Sequence, residues 1–196
     1  HPASQPMPAT DRERWDARYR SGIPVQHACA TLTENLHLLP DGGHALDLAC
    51  GLGANARVLA AAGLTTEGWD VSPVAIERLA ALAAAEGLRV RGCVRDALAA
   101  PPEPASFDVI VVAHFFERTL LPALAAALRP GGLLFYETFT RRSLHGPSNP
   151  DWKLDDNELP TALPGLRLRV YRDEQDAGDP ALGLRGITRY VGQRPR

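Results

Sequence analysis

Between residues 45 and 137 the chain alternates short apolar runs with helix-like stretches, and that alternation leaves few folds open to it. Ala45-Leu46-Asp47-Leu48 runs into a glycine loop, Gly51-Leu52-Gly53, and then into the helical pattern of residues 54–62, which Gly63 stops. Residues 65–70 form a second strand candidate. Ser72-Pro73 follows as an N-cap with proline at the first helical position, opening a helix to about Glu86 that Gly87 ends. Residues 90–94 are a third strand candidate. The β-branched run 107–113 reads as a fourth, buried on both faces. A helix over 120–128, a Pro130-Gly131-Gly132 break and the run 133–137 complete the series. Strand and helix alternating through short loops imply a parallel sheet covered by helices.

The flanks extend this picture. Thr10-Asp11-Arg12-Glu13 is a capping box opening a helix to about Arg20, stopped by Ser21-Gly22-Ile23-Pro24. A weaker helical stretch follows over 27–38, and residues 10–40 together are expected to form a helical lid. Residues 140–163 are polar and rich in Pro, Asn and Asp, a long excursion of the kind usually tied to function. Two strand-like runs, 166–173 and 184–192, close the chain. The turn Asp176-Ala177-Gly178-Asp179-Pro180 between them suits an antiparallel hairpin and is too short for a crossover helix. Residues 1–9 read as a disordered tail or a tag remnant around Met7, without the basic and apolar regions of a signal peptide, and residues 10–196 as a single domain.

A chain of 196 residues with 45% hydrophobic and 22% charged residues has room for one sizeable core. Its net charge of -2 gives no reason to expect a nucleic-acid or membrane partner. Cys29, Cys50 and Cys93 form no C-x-x-C pair, so neither a disulfide framework nor a metal site is indicated, and a reduced, cytoplasmic setting is expected.

Gly51-Leu52-Gly53-Ala54-Asn55-Ala56 fits the G-x-G-x-x-G/A pattern of nucleotide loops at the carboxyl ends of parallel strands. Neighbouring acids narrow the choice of ligand. Asp47 sits inside the loop motif Asp47-Leu48-Ala49-Cys50-Gly51-Leu52-Gly53, where it would repel a pyrophosphate and attract an ammonium or sulfonium. Asp70 ends the second strand, placed to accept from two ribose hydroxyls, with Val71 beside it to pack on adenine. Asp96 follows the third strand, placed to accept from an adenine amine, with Ala97 as a backbone donor. Each acid alone is also an ordinary strand-end or cap residue. Three at successive strand ends beside a glycine loop point to S-adenosylmethionine, which carries cations, a ribose diol and an adenine amine but no phosphate.

These motifs, with Gly68-Trp69-Asp70-Val71-Ser72 and Leu128-Arg129-Pro130-Gly131-Gly132-Leu133, resemble the successive motifs of class I methyltransferases; Ala49 stands where many members have glycine. The resemblance implies a doubly wound, mostly parallel seven-stranded α/β sheet with an antiparallel C-terminal hairpin. It also implies S-adenosyl-L-methionine as cofactor, with S-adenosyl-L-homocysteine as product. Ala49, Cys50, Gly51, Gly53, Asn55, Ser72 and Ala113 join the acids as expected cofactor contacts. Shorter likenesses point to the tellurite-resistance and thiopurine methyltransferase group: Trp15-Asp16-Ala17-Arg18-Tyr19, Leu59-Ala60-Ala61-Ala62-Gly63 and Asp156-Asn157-Glu158-Leu159. Ala54 stands where that group usually carries arginine. A small-molecule acceptor, a chalcogen oxyanion or a thiol, follows from that likeness.

Methyl transfer from a sulfonium is an in-line displacement, so alignment is most of what a protein must supply, with a base where the acceptor carries a proton. His114, leaving the fourth strand at the cofactor edge, is the candidate for that base or for an acceptor hydrogen bond; it also reads as a structural loop histidine. Arg141, Arg142 and His145 follow the fifth strand and are either an anion-binding set or a solvated loop. On the N-terminal helix Trp15, Arg18 and Tyr19 share a face. They read as a lid in which Arg18 pairs the cofactor carboxylate, or as plain helix anchors. An NAD-dependent oxidoreductase and a non-catalytic, cofactor-binding regulatory subunit are the alternatives.

Overall fold

The computed structural model describes residues 10–21 and 26–196. The expected tail and Gly22-Ile23-Pro24 of the helix stop lie outside the described residues. Seven strands form one sheet: β1 (His44–Leu48), β2 (Thr65–Asp70), β3 (Val90–Val94), β4 (Phe107–Ala113), β5 (Leu128–Phe139), β6 (Arg167–Arg172) and β7 (Ile187–Gln193). Their order is β3-β2-β1-β4-β5-β7-β6. β1 to β5 pair in parallel, and β7 runs antiparallel between β5 and β6. The chain thus reverses its strand order between β1 and β4, the place where open parallel sheets bind ligands at their carboxyl ends.

Both faces of the central strands are buried, as their unbroken apolar runs require. One face packs Ala45, Val109, Val111, Leu133 and Phe135 against Leu32 and Leu59; the other packs Leu46, Leu48, Ile110, Val112, Leu134 and Tyr136 against Leu121, Leu124 and Leu159. The helices are α1 (Asp11–Arg20), α2 (Ala30–Thr33), α3 (Ala54–Ala61), α4 (Pro73–Ala85), α5 (Leu121–Ala127) and α6 (Glu158–Ala162). The capping box of α1 forms as expected, Thr10 Oγ1 accepting from Glu13 N–H at 3.2 Å and Glu13 from Thr10 N–H at 2.9 Å.

Three expectations shift. The helix placed over 27–38 breaks into the single turn of α2 and a 3₁₀ turn, Leu36–Leu38, because Asn35 leaves helical geometry. β5 begins at Leu128 rather than 133: Leu128 pairs with Phe107 and Leu133 with Val109, a register irregularity that absorbs Arg129-Pro130-Gly131-Gly132 into the strand. The link between β6 and β7 occupies 173–186, longer than the turn expected at 176–180, although the pairing is the antiparallel hairpin foreseen. Among the described residues no helix is long and apolar enough to cross a membrane.

Candidate functional site at the carboxyl edge

The sheet's carboxyl edge is organised by the loop between β1 and α3. Ala49 takes a left-handed backbone (φ 56°), and Cys50 donates its N–H to Trp69 O at 2.8 Å, lashing the loop to β2. Gly51 (φ 54°) and Gly53 (φ 73°) need glycine for two reasons. Their backbone is left-handed, and a Cβ on Gly51 would stand 2.7 Å from the Tyr19 hydroxyl while one on Gly53 would overlap Leu79.

Asp70 is held rigidly against this loop. One carboxylate oxygen accepts Gly51 N–H and the other accepts Ser72 N–H, both at 2.9 Å. Burial, which leaves the residue 8% exposed, pushes its pKa up, and the two N–H groups oppose that rise. Ser72 caps α4 by accepting Ala75 N–H at 3.1 Å and gives its own hydroxyl to Asp16 of α1. Asp96 is exposed beyond β3 and accepts Leu98 N–H at 2.9 Å, and Arg95 N–H donates to Asp70 O at 2.9 Å, tying the ends of β2 and β3 together. Val71 is half-buried beside them, and Ala97 packs into the core.

Several of the expected contact residues are also engaged within the structure. Asp47 is only 1% exposed and lies beneath the loop, accepting Ala56 N–H at 2.9 Å, with burial pushing its pKa well up. It therefore caps the first turn of α3 rather than lining open space. Asn55 accepts Cys29 N–H at 2.8 Å and so anchors the chain ahead of α2. The Cys50 side chain is buried against Gly68.

On α1, Tyr19 is buried against Leu52 and Ala75. Trp15 stacks on it at 5.9 Å between centroids. Arg18 is exposed and lies over the Trp15 ring, 5.2 Å from its centroid. Gln26 reaches the loop and accepts Ala54 N–H at 3.3 Å. Gln26 and Asp16 were not singled out from the sequence, because nothing local distinguishes them from surface polar residues.

The ends of β4 and β5 form a second group. Ala113 is half-buried, and His114 follows with a left-handed backbone (φ 58°), its N–H donated to Glu137 O at 2.8 Å. Its ring stacks on Phe139 at 5.1 Å, and Nε2 faces Glu137 Oε2 at 4.0 Å. A non-glycine left-handed residue beside a ligand edge is strain of the kind that accumulates at functional sites.

Arg141, Arg142 and His145 do not converge. Arg141 pairs with Asp155 and Arg142 with Asp176, each at 3.3 Å, and His145 is exposed with its N–H on Ser143 Oγ. Arg118, which the sequence did not mark, instead holds the 140–163 excursion. It gives Glu158 two bonds of 3.0 Å and Asp151 O one of 2.9 Å, beside a cavity of about 310 Å³ shared with Arg141 and Asp155.

Among the described residues, the side chains hydrogen-bonded to the glycine loop and the first turn of α3 are two carboxylates, Asp47 and Asp70, the amide of Gln26 and the Cys50 thiol. Among the described residues no guanidinium donates a hydrogen bond to the loop. That chemistry fits a cationic, phosphate-free donor and opposes a pyrophosphate.

Comparison with known proteins agrees. Residues 45–132 match a family model described as a methyltransferase domain. A 107-residue stretch is 31% identical to a ubiquinone biosynthesis O-methyltransferase of Idiomarina loihiensis, a match covering 51% of this chain and 44% of that relative, so the chain spans less than half the length of the curated protein it matches. Solved structures share the fold. TehB from Haemophilus influenzae superposes with a TM-score of 0.71 at 16% identity, covering 92% of this chain and 67% of that one. A Mesorhizobium loti S-adenosylmethionine-dependent methyltransferase gives 0.66 at 20% identity, over 84% and 98%. Residues 45–132 therefore carry the likeness of a methyltransferase domain, set in the seven-stranded fold of class I, S-adenosylmethionine-dependent methyltransferases.

Proposed function

We propose that this protein methylates a small molecule with S-adenosylmethionine as donor. The observation that carries the reading is Asp70: a buried carboxylate at a strand end, aimed by two backbone N–H groups beside a loop crowded at Gly51 and Gly53. Gly51, Gly53, Asp70 and Asp96 would hold the donor, with Val71 and Ala97 beside the adenine, and α1 with Gln26 would act as a lid over the loop. The bound donor supplies an electrophilic methyl group on a sulfonium.

The remaining residues align and shield. The lid excludes water from the loop through Tyr19, which sits against Gly51. His114 stands at the end of β4 where an acceptor would approach, suited to take its proton. Arg141 and Arg142, expected to hold an oxyanion, are each engaged by an aspartate. A thiol or hydroxyl acceptor is therefore favoured over a chalcogen oxyanion, and the O-methyltransferase likeness supports the same preference.

The test is transfer of radiolabelled methyl from S-adenosylmethionine to a panel of thiols, phenols, alcohols and tellurite. Label on a thiol or hydroxyl compound, lost in His114→Gln, is expected. Label on tellurite alone would overturn the acceptor assignment. Tight donor binding with no transfer to any compound would favour a regulatory subunit.

A further inference from the structure

We infer that Glu137 is the positioning residue that fixes the tautomer of His114, and that it thereby restricts the acceptor to one arriving with its proton on oxygen or sulfur; this rests on the methyl-transfer reading above. Glu137 lies near the carboxyl end of β5, 7% exposed, and its two oxygens are used differently. Oε1 accepts Thr31 N–H at 3.2 Å and the Thr31 hydroxyl at 2.9 Å, and it lies 3.3 Å from Arg189 Nε. Oε2 faces the imidazole of His114, its Nε2 at 4.0 Å. Two hydrogen bonds from Thr31 of α2, with the Arg189 guanidinium of β7 alongside, thus hold one oxygen and leave the other toward the histidine. At 4.0 Å this is a charge-facing contact longer than a hydrogen bond, and candidate catalytic hydrogen bonds are commonly long before substrate binds.

Two further contacts orient the ring. Stacking on Phe139 fixes its plane, and the left-handed backbone pinned by Glu137 O fixes where it leaves the strand. A carboxylate opposite Nε2 favours the tautomer that carries the proton there, which leaves the Nδ1 lone pair for the outer, half-exposed side of the ring. In the reaction the acceptor's O–H or S–H bond breaks and its proton passes to Nδ1. The electron pair left on oxygen or sulfur forms the new bond to the methyl carbon, and the carbon–sulfur pair of the donor stays on sulfur as a thioether. The imidazolium so produced faces Glu137. An acceptor already present as an anion gains nothing from this pair.

Glu137→Gln isolates the claim, because the donors around Oε1 hold the amide oxygen in its place and direct the amide N–H₂ at Nε2. Imidazole ¹⁵N spectra at alkaline pH, with His114 assigned by its loss in His114→Gln, are expected to show an Nε2–H ring in the wild type and an Nδ1–H ring in the variant. With a thiol or hydroxyl acceptor, kcat should fall about 100-fold or more while acceptor KM and calorimetric S-adenosylhomocysteine affinity stay within about threefold. An unchanged tautomer, or unchanged kcat with product affinity intact, overturns the inference alone. Failure of the wild type to bind S-adenosylhomocysteine instead overturns the methyl-transfer reading. Should Glu137→Gln not fold, Thr31→Val keeps the carboxylate but removes one donor that fixes it. A mixture of tautomers is expected there, and a pure Nε2–H ring would count against the inference.

Discussion

Replacing Gly53 by alanine tests how the loop is built. At φ 73° an L-residue costs about 1–2 kcal/mol. The added methyl would also overlap Leu79, which is fully buried on α4 and has nowhere to retreat, so forcing it aside adds about 1–3 kcal/mol. Together the loss is about 2–5 kcal/mol, roughly 4–20 °C in Tm for a chain of this size. The steric part is separable. Leu79→Ala alone should cost about 2–5 kcal/mol by leaving a cavity. In Gly53→Ala/Leu79→Ala the new methyl meets empty space, so the double variant should be about 1–3 kcal/mol better than the sum of the singles. Thermal and urea denaturation followed by circular dichroism give all four corners of the cycle. A Tm for Gly53→Ala within about a degree of wild type, or strictly additive losses, would refute this account of the loop.

Other expectations are briefer. Asp47→Asn keeps the bond from Ala56 N–H while removing a carboxylate that burial disfavours. The folded state holds that proton more tightly than the unfolded chain, so ionisation costs stability as pH rises from the ordinary carboxylate range through the raised folded value. The substitution should therefore raise the urea midpoint at neutral pH and flatten the acid-side slope; a lower midpoint at pH 7 contradicts the assignment. Glu158→Gln should weaken its paired bonds from Arg118 by about 1 kcal/mol and speed hydrogen exchange over 150–163, and exchange unchanged there would show that Arg118 does not hold the excursion. Among the thiols, Cys29 and Cys50 are buried, with Cys29 pushed up to about 12 by burial, so a disulfide reagent should titrate the half-buried Cys93 first, checked by mass spectrometry.

The parallel half was legible because β4 is a nearly continuous apolar run and the other strands fall between glycine or proline signals at regular spacing, and the glycine loop with Asp70 was legible because its chemistry lies within a few residues of chain. What escaped depends on distance in sequence. Glu137 gains its meaning from Thr31, His114 and Arg189, which only the folded sheet brings together. Gln26 reaches Ala54, and Arg118 reaches Glu158, across loops whose paths no periodicity encodes. Arg141 and Arg142 looked available because their partners, Asp155 and Asp176, lie in other segments. Asp47 keeps its place in the motif, and its burial beneath the loop with Ala56 N–H as partner comes from the fold, which the motif's spacing does not encode.

The most direct trial of the whole account is a calorimetric titration of the purified protein with S-adenosylhomocysteine and, separately, with NADH. A saturable isotherm for the first and none for the second is expected. Asp70→Ala should weaken the first by about 100-fold or more, as befits the loss of two hydrogen bonds to a charged acceptor, while far-UV circular dichroism keeps its native shape. Heat from NADH with silence from S-adenosylhomocysteine would mean that the acidic strand ends serve some other ligand.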